Sequence, residues 1–396
     1  MRGNVWARTR TSALISLVPA CIFVTMAMTS AVHGEPQAKH TKRIYTGGDK
    51  GAYHLSFCPP LATALEKAGQ TYTCTPSAGS LDNMKRVAAS PRDIGFAQLD
   101  VLTLNRQEFS DGQAFSTIRS GDVHECLFAV TRNPELKSFG DIAARAEELR
   151  FILPSEDSGS SGTFRYLQSI DMDLAHATSV RHTENVDEAI RLALSADDTV
   201  SLFIQFPDPD NPRFQLVNRL GGHFIPVIDR NILSASIEGR SIYFAKETEV
   251  MDARWTKQGK QVITACTPLV IFTGAARHIT NPEAAKAHAA MIKEIREIPA
   301  DKLKPSDDLL ASVVKRTKEL SAAAVGKLVD VSEAARDKTK PLLEKAQEAT
   351  SKALEGSKPH VEKSKKTGQE TLKKAQETVK DLIEPSHAPA KAGEAH

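Results

Sequence analysis

The sequence lacks an excess of charge of either sign. It has 51 Lys and Arg against 49 Asp and Glu, a formal net charge of +2 over 396 residues. Nucleic-acid-binding proteins concentrate basic residues in a patch or stripe. No basic stripe interleaved with aromatics precedes the C-terminal tail, and the tail's lysines alternate with glutamates. The composition therefore argues against nucleic acid as the main partner.

The sequence also lacks the motifs of common metal, cofactor and catalytic sites. It has no Cys-x-x-Cys pair, no histidines at metal-ligand spacing and no nucleophile elbow. We therefore expect no metal, no cofactor and no enzymatic activity. Ser160 could form a catalytic triad with His54, His124 or His182 and an aspartate, so a serine hydrolase is kept as an alternative. It is a remote one, because such sets of residues also arise by chance in a long chain.

The N-terminus has the pattern of a cleaved signal peptide, to which we assign residues 1–34. Arg2, Arg8 and Arg10 precede the apolar run 13–28, and small residues at 29–31 offer a cleavage site, with Gly34 as a later option. A retained membrane anchor is disfavoured because the run is short and contains Pro19. We therefore expect a periplasmic protein.

Few cysteines are present, and four remain after the predicted cleavage: Cys58, Cys74, Cys126 and Cys266. An even number in an exported chain predicts disulfides. Cys58 and Cys74 flank one helix and the strand after it, whereas Cys126 and Cys266 lie in β-type runs. The connectivity stays open from the sequence.

What the sequence does contain is a repeated unit of strand, small polar loop and helix. The segment 43–54 joins a β-type run to a turn with Gly47, Gly48 and Gly51, and apolar residues at helical spacing follow. A glycine-rich loop that leads into a helix can cradle an anion, because the first N–H groups of the helix have no internal partner. A tight βα turn is the structural alternative.

The same unit recurs twice. Strand 71–75 leads through 76–80 into a helix, and strand 150–154 leads into the hydroxyl-rich loop 155–164. A strand at 94–97 ends at Gln98 and Asp100, and open α/β sheets bind ligands at the carboxyl ends of their strands. Further strands are predicted at 128–132, 200–206 and 224–228. An antiparallel element is predicted from 241–244, 253–256 and 262–267.

The composition changes near Pro305, after which Lys, Glu, Ala, Thr and Ser dominate. Pro341, Pro359 and Pro385 are expected to divide this tail into helical pieces with thin, alanine-rich apolar stripes. We predict marginal amphipathic helices lying on a surface, or a flexible arm, rather than a packed domain. The membrane surface, a helical partner and a solvated spacer are the alternatives for its role.

Five segments in order resemble the TAXI group of solute receptors, the extracytoplasmic binding proteins associated with TRAP transporters. They are the glycine-rich opening 44–53, the small-Gly-Ser loop 77–83, the Asp-x-Gly strand ending in Gln-x-Asp at 93–100, the segment 139–142 and the loop 158–163. The likeness covers roughly residues 42–300 and does not include the tail.

The resemblance implies an α/β, two-lobed periplasmic-binding-protein fold of the Venus flytrap, type II-like kind, here followed by the amphipathic helical tail. We divide the chain accordingly. Lobe I comprises 35–132 and 229–304, lobe II comprises 133–228, and the tail is 305–396.

The implied function is that of a receptor that binds a small carboxylate-bearing ligand, a glutamate-like amino acid or a dicarboxylate, and delivers it to a TRAP-type membrane permease. The alternative is an envelope interaction or scaffold protein with a degenerate receptor core that acts through its tail. The candidate ligand-binding residues are Gly47, Gly48, Gly51, Tyr53, Ser77, Gly79, Ser80, Asn83, Gln98, Asp100, Ser158, Ser160, Ser161, Thr163 and Phe206.

Each candidate also has a structural alternative. Helix capping competes for the hydroxyls and for Asn83, and local turn bonding competes for Gln98 and Asp100. Core packing competes for Tyr53 and Phe206.

Overall fold

The computed structural model describes residues 41–108, 114–208, 211–251, 260–303, 318–345, 347–349, 351–352 and 373. The predicted signal peptide and the predicted strand 253–256 lie outside these ranges, as do most of the tail beyond 345. Within them, every helix is too short or too polar to cross a membrane.

Lobe I is built on parallel strands that alternate with helices. Its elements are β1 (Lys42–Tyr45), α1 (Cys58–Lys67), β2 (Tyr72–Thr75), α2 (Ser80–Ala89), β3 (Ile94–Gln98) and α3 (Leu99–Glu108), with a short π-helical turn, Tyr53–Phe57, before α1. The strands pair in the order β2-β1-β3, all parallel. Neighbouring residues on β3 enter different clusters, Phe96 with Ile44 and Ala97 with Tyr45, so apolar packing covers both faces of the sheet.

Lobe II repeats this arrangement. Its sheet has β5 (Arg150–Leu153), β6 (Val180–His182) and β7 (Thr199–Gln205), paired parallel in the order β6-β5-β7. Its helices are α4 (Phe139–Ala144), α5 (Gly159–Ile170), α6 (Val186–Ala193) and α7 (Pro212–Arg219). Helix α8 (Arg230–Ser234), from the return segment 229–304, packs its Ile232 into the same hydrophobic cluster as Phe151 and Phe164. Every residue of β7 is buried, as expected of a parallel strand covered on both faces.

Two long antiparallel strands join the lobes, and we call them the connecting strands. They are β4 (Phe115–Thr131) and β12 (Lys260–Gly274), which pair with each other. β12 lies antiparallel beside β3, and β4 lies antiparallel beside β7. Each lobe therefore has three parallel strands in a 2-1-3 order and one antiparallel strand, which confirms the predicted two-lobed α/β fold class.

Further elements complete the core. They are β8 (His223–Ile225), β9 (Ser236–Ile237), β10 (Arg240–Ser241), β11 (Phe244–Met251), α9 (Pro282–Glu297) and α10 (Ala300–Leu303). The antiparallel partner of segment 262–267 is β11, which begins where the predicted run 241–244 ends.

Two disulfides confirm the prediction made from the cysteine count. Cys58–Cys74 ties the start of α1 to β2, and Cys126–Cys266 ties the two connecting strands together. Cys58, Cys126 and Cys266 are fully buried.

The described part of the tail lies on the core. Strand β13 (Lys318–Glu319) pairs antiparallel with β11, and a helix, α11, spans residues 322–345. The prediction that Pro341 ends a helical piece is wrong, because α11 continues through it. A proline removes one backbone hydrogen bond from a helix. The contacts of Ser332 and Arg336 with the core, described below, stabilise α11 despite the missing bond.

Candidate functional site

The glycine-rich turns of lobe I meet each other. The amide of Gly47 donates to Ser77 Oγ at 2.7 Å, and the amide of Ser77 donates to the Gly47 carbonyl at 2.8 Å. Ser77 Oγ also bonds to Asn83 Oδ1 at 2.5 Å, and Asn83 Nδ2 donates to the Phe96 carbonyl. Gly51 N closes the first turn on the Gly48 carbonyl at 2.9 Å. These contacts fix the loop after β1 beside the start of α2.

The lobe I turn at Gly79 contacts the lobe II loop directly. Leu81 N donates to the Asp157 carbonyl at 3.2 Å. A Cβ on Gly79 would lie 2.7 Å from Ser158 Cα, and Gly79 has φ +139°, a conformation that glycine alone adopts readily. Glycine is therefore required here both by its own backbone and by the opposing lobe. We call this region, with the polar cluster described next, the lobe junction.

A buried polar cluster centred on Gln98 lies at the junction. Ser80 Oγ donates to Gln98 Oε1 at 2.7 Å, and Gln98 Nε2 donates to Tyr53 Oη at 3.1 Å and Glu125 Oε2 at 2.6 Å. Tyr53 Oη donates a short hydrogen bond to the same Glu125 oxygen. Residues from α2, β3, the π-helical turn and β4 thus share one network.

Glu125 is the member of this cluster that the motifs did not identify. It lies on β4 and is buried. Burial raises its pKa to about 7, the hydrogen bonds from Tyr53 and Gln98 oppose the rise, and the nearby Asp100 adds to it. The sequence signal for this residue is that Glu125 directly precedes the apolar run from Cys126 to Val130.

Asp100 links α3 to the residue that precedes β11. Its carboxylate accepts from Tyr243 Oη at 2.8 Å and from the amide of Val101 at 2.8 Å. Burial raises the pKa of Asp100, while the hydrogen bonds from Tyr243 and the Val101 amide partly offset the rise. Two buried carboxyls with raised pKa values, Glu125 and Asp100, therefore lie close to each other.

Three hydroxyls of the lobe II loop, those of Ser158, Ser160 and Ser161, support local structure. Ser158 is the N-cap of α5 and accepts from Ser161 N at 3.2 Å. Ser160 Oγ accepts from the Ile204 amide of β7 at 3.0 Å, and Ser161 Oγ donates to the Ser155 carbonyl at 2.9 Å. Capping, the alternative left open by the sequence, therefore applies to Ser158.

Phe206 lies at the end of β7 but packs in lobe I. Its ring stacks on Phe57 with centroids 5.2 Å apart and meets the edge of Tyr53 at 6.0 Å. Phe206 and Tyr53 thus form an aromatic wall beside the Gln98 cluster.

The arrangement does not favour nucleophilic or metal chemistry. Ser160 Oγ accepts a hydrogen bond from the Ile204 amide of β7. His182 Nδ1 lies 3.0 Å from the Pro154 carbonyl and 3.3 Å from Ser161 Oγ. No cluster of His, Cys, Asp and Glu suited to a metal ion occurs among the residues that the structure describes.

The chain has no match among family models and none among curated proteins. Among solved structures it is similar to a periplasmic transporter, at 11% identity over 78% of this chain and 98% of that one, with a TM-score of 0.36. It is also similar to MatC from Rhodopseudomonas palustris with bound malate, at 11% identity over 76% of this chain and 98% of that one, with a TM-score of 0.38.

PhnD1 from Prochlorococcus marinus, in complex with methylphosphonate, is similar at 11% identity over 76% of this chain and 98% of that one, with a TM-score of 0.40. At these identities and TM-scores the likeness adds nothing about ligand or activity. The fold class is defined by the strand order of the chain itself.

Proposed function

We propose that the chain is an extracytoplasmic solute receptor of the TAXI type, which binds a small carboxylate-bearing ligand at the lobe junction and delivers it to a TRAP-type permease. The observation that carries the proposal is the meeting of turns from both lobes at one place. Gly79 of lobe I lies against Ser158 of lobe II, and Gln98, Tyr53 and Glu125 lie buried beside them.

Binding would require the lobes to separate at this contact. Parting them about the connecting strands releases Leu81 N, at the start of α2, from the Asp157 carbonyl. Amide groups at a helix start favour a carboxylate, because they are unpaired and lie at the positive end of the helix dipole. A ligand that prefers the reclosed form would then shift the population toward it.

Glu125 favours an amino acid over a plain dicarboxylate. Its contacts in the described structure are with Tyr53 and Gln98, which are uncharged donors. A ligand ammonium group would supply the opposite charge that stabilises an ionised buried carboxylate. A second ligand carboxylate close to Glu125 would be repelled.

The test is thermal unfolding of the mature protein with L-glutamate and with malate. A ligand that binds only the folded state stabilises it by about 2.7 kcal/mol at roughly a hundred times Kd. We expect stabilisation by the amino acid in the wild type and its loss in Glu125→Ala. Lys67→Gln, an exposed change at the C-terminal end of α1, serves as the control that retains binding.

Equal responses to L-glutamate and malate, retained in Glu125→Ala, would remove the role given to Glu125. No response to any member of a wider carboxylate panel would remove the receptor function.

The second candidate is an envelope interaction protein with a degenerate receptor core. The observation in its favour is that the protein's own side chains and the Leu81–Asp157 hydrogen bond occupy the lobe junction. It predicts that small ligands leave the unfolding temperature unchanged and that deleting the tail abolishes retention by a membrane or protein partner.

A further inference from the structure

A concave site that shares no residue with the Gln98 cluster lies between α11 of the tail and the segment formed by α8 and β11. Its volume is about 690 Å³. Small-molecule sites typically have volumes of about 300–1,000 Å³. We call it the tail groove, and Leu233, Phe244, Lys246, Val325 and Val329 are among the residues that line it.

The tail wall of the groove is fixed to lobe II by a buried ion cluster. Arg336 Nη2 lies 2.7 Å from Asp171 Oδ2 and 2.8 Å from Asp229 Oδ2, and Arg336 Nη1 lies 3.1 Å from Asp173 Oδ2. The Arg336 side chain is 9% exposed, and those of Asp171 and Asp229 are 0% exposed. A charge cluster so far removed from water specifies one geometry for the helix that carries it.

A close helix contact fixes the same wall at a second point. Gly140 N of α4 donates to Ser332 Oγ at 3.0 Å, and a Cβ on Gly140 would overlap the Ser332 carbonyl. At the other end of the tail wall, β13 pairs with β11. The groove is therefore a built feature of the core and tail together.

The lining combines apolar walls with basic groups. Phe244 is 41% exposed, although it is a large aromatic residue, and its ring meets the edge of His124 with centroids 5.5 Å apart. Arg230 and Lys246 belong to the lining, which contains no Asp or Glu among the described residues. Burial lowers the pKa of His124 to about 4, so this imidazole is neutral at neutral pH.

We propose that the tail groove binds an amphipathic anion of the fatty carboxylate class. The acyl chain lies against Phe244, Val325 and Val329, and the carboxylate pairs with Arg230. An aliphatic chain gains from covering the apolar walls, and guanidinium is well suited to a carboxylate because its N–H groups can donate in pairs.

The location gives such a ligand access to the strands that join the lobes. His124 lies on β4, and Phe244 lies at the start of β11, opposite Cys266 of β12. The site nevertheless shares no residue with the Gln98 cluster, so it does not depend on the function proposed for the lobe junction.

The experiment is calorimetric titration of the full mature chain with dodecanoate below its micellar concentration, with dodecanol as the uncharged control. Gly326→Trp places a large side chain in the groove, where an added Cβ meets nothing within 4 Å. Ala334→Trp places the same side chain on an exposed position of α11 that does not line the groove. Arg230→Gln removes the charge.

We expect saturable binding in the wild type and in Ala334→Trp, and at least about tenfold weaker binding in Gly326→Trp, because the groove is filled. Arg230→Gln is expected to bind dodecanoate about tenfold more weakly and to lose the preference over dodecanol. Absence of saturable wild-type binding would overturn the proposal. So would unchanged affinity in Arg230→Gln, an exposed substitution that tests the proposal even if Gly326→Trp fails to fold.

Discussion

The molecule contains two buried carboxylate clusters that are built in opposite ways. At the lobe junction, Glu125 and Asp100 receive hydrogen bonds from neutral donors, and burial raises the pKa of both. At the tail, burial opposes ionisation of Asp171, but the hydrogen bonds it accepts and the charge of Arg336 together outweigh burial, so that its pKa lies below the usual value. Burial raises the pKa of Asp229, and the charge of Arg336 opposes that rise.

The two clusters therefore have different roles. The Glu125 cluster can respond to pH or to a ligand, whereas the Arg336 cluster holds α11 on the core. A buried carboxyl without a cation can be satisfied by a proton or by a ligand cation, so its state depends on conditions. A carboxylate paired with a guanidinium is already satisfied, and removing the partner is costly. Of the four substitutions below, ordered from the largest expected effect to the smallest, the first two test this division and the last two test the contact between the lobes.

Arg336→Met is expected to have the largest effect. It leaves Asp171 and Asp229 buried without their cation, and breaking a buried pair in this way typically costs about 3–5 kcal/mol. We expect a loss of that order in urea unfolding and rapid proteolysis within 318–345. Lys340→Met, which removes the more exposed partner of Asp173, is the control and should change little. Equal stability of both variants would show that the cluster does not hold the tail.

Glu125→Gln tests the responsive cluster through pH. Because the pKa of Glu125 is raised from 4.5 to about 7 by folding, the folded state binds more protons than the unfolded state between these values. Stability from this group is therefore full below about pH 4.5 and is lost as the pH rises through 7, by up to about 3 kcal/mol.

His124 contributes the opposite slope, because its pKa is lowered, and Asp100, whose pKa is raised, contributes the same slope as Glu125. The quantity to measure is therefore the difference in unfolding free energy between the wild type and Glu125→Gln, from pH 4.5 to 8. A difference that does not vary with pH would contradict the raised pKa of Glu125.

Gly79→Ala tests the direct contact between the lobes. Its φ of +139° and its distance to Ser158 make any Cβ unfavourable, and a backbone held in such a region costs of order 1–3 kcal/mol. We expect reduced stability and, in small-angle scattering, a larger radius of gyration as the lobes part. Gly48→Ala is the matched control, since its Cβ would meet nothing within 4 Å. Identical scattering from both variants would mean that Gly79 does not limit closure.

The sequence pattern was sufficient to predict the strand-loop-helix units and the proximity of the lobe I turns, whereas the two-lobed fold was implied by the resemblance to solute receptors. In that lobe the turns follow parallel strands, so strand polarity alone places them at one sheet edge. The sequence also predicted disulfides, because an even number of cysteines after a predicted signal peptide is typical of disulfide-bonded proteins.

The place of Glu125 in the Gln98 cluster was not predictable, because it depends on the pairing of β4 with β12, a contact between residues about 140 apart that local patterns do not encode. The role of Arg336 was equally unpredictable, because in the sequence nothing distinguishes it from the tail's other basic residues. Only the fold brings Asp171 and Asp229 of the core around it. Long-range pairing therefore decides both clusters that distinguish this chain.

The smallest effect is expected at the exposed ion pair that also spans the lobes. Lys85 Nζ of α2 lies 2.7 Å from Asp157 Oδ1, with side chains 62% and 40% exposed. Exposed pairs contribute about 0–1 kcal/mol and are screened by salt. We therefore expect Lys85→Gln to lower the unfolding free energy by about 0.5 kcal/mol or less at low salt, with no difference at high salt. A loss comparable to that of Gly79→Ala would show that charge, rather than the backbone contact of Gly79 with Ser158, holds the lobes together.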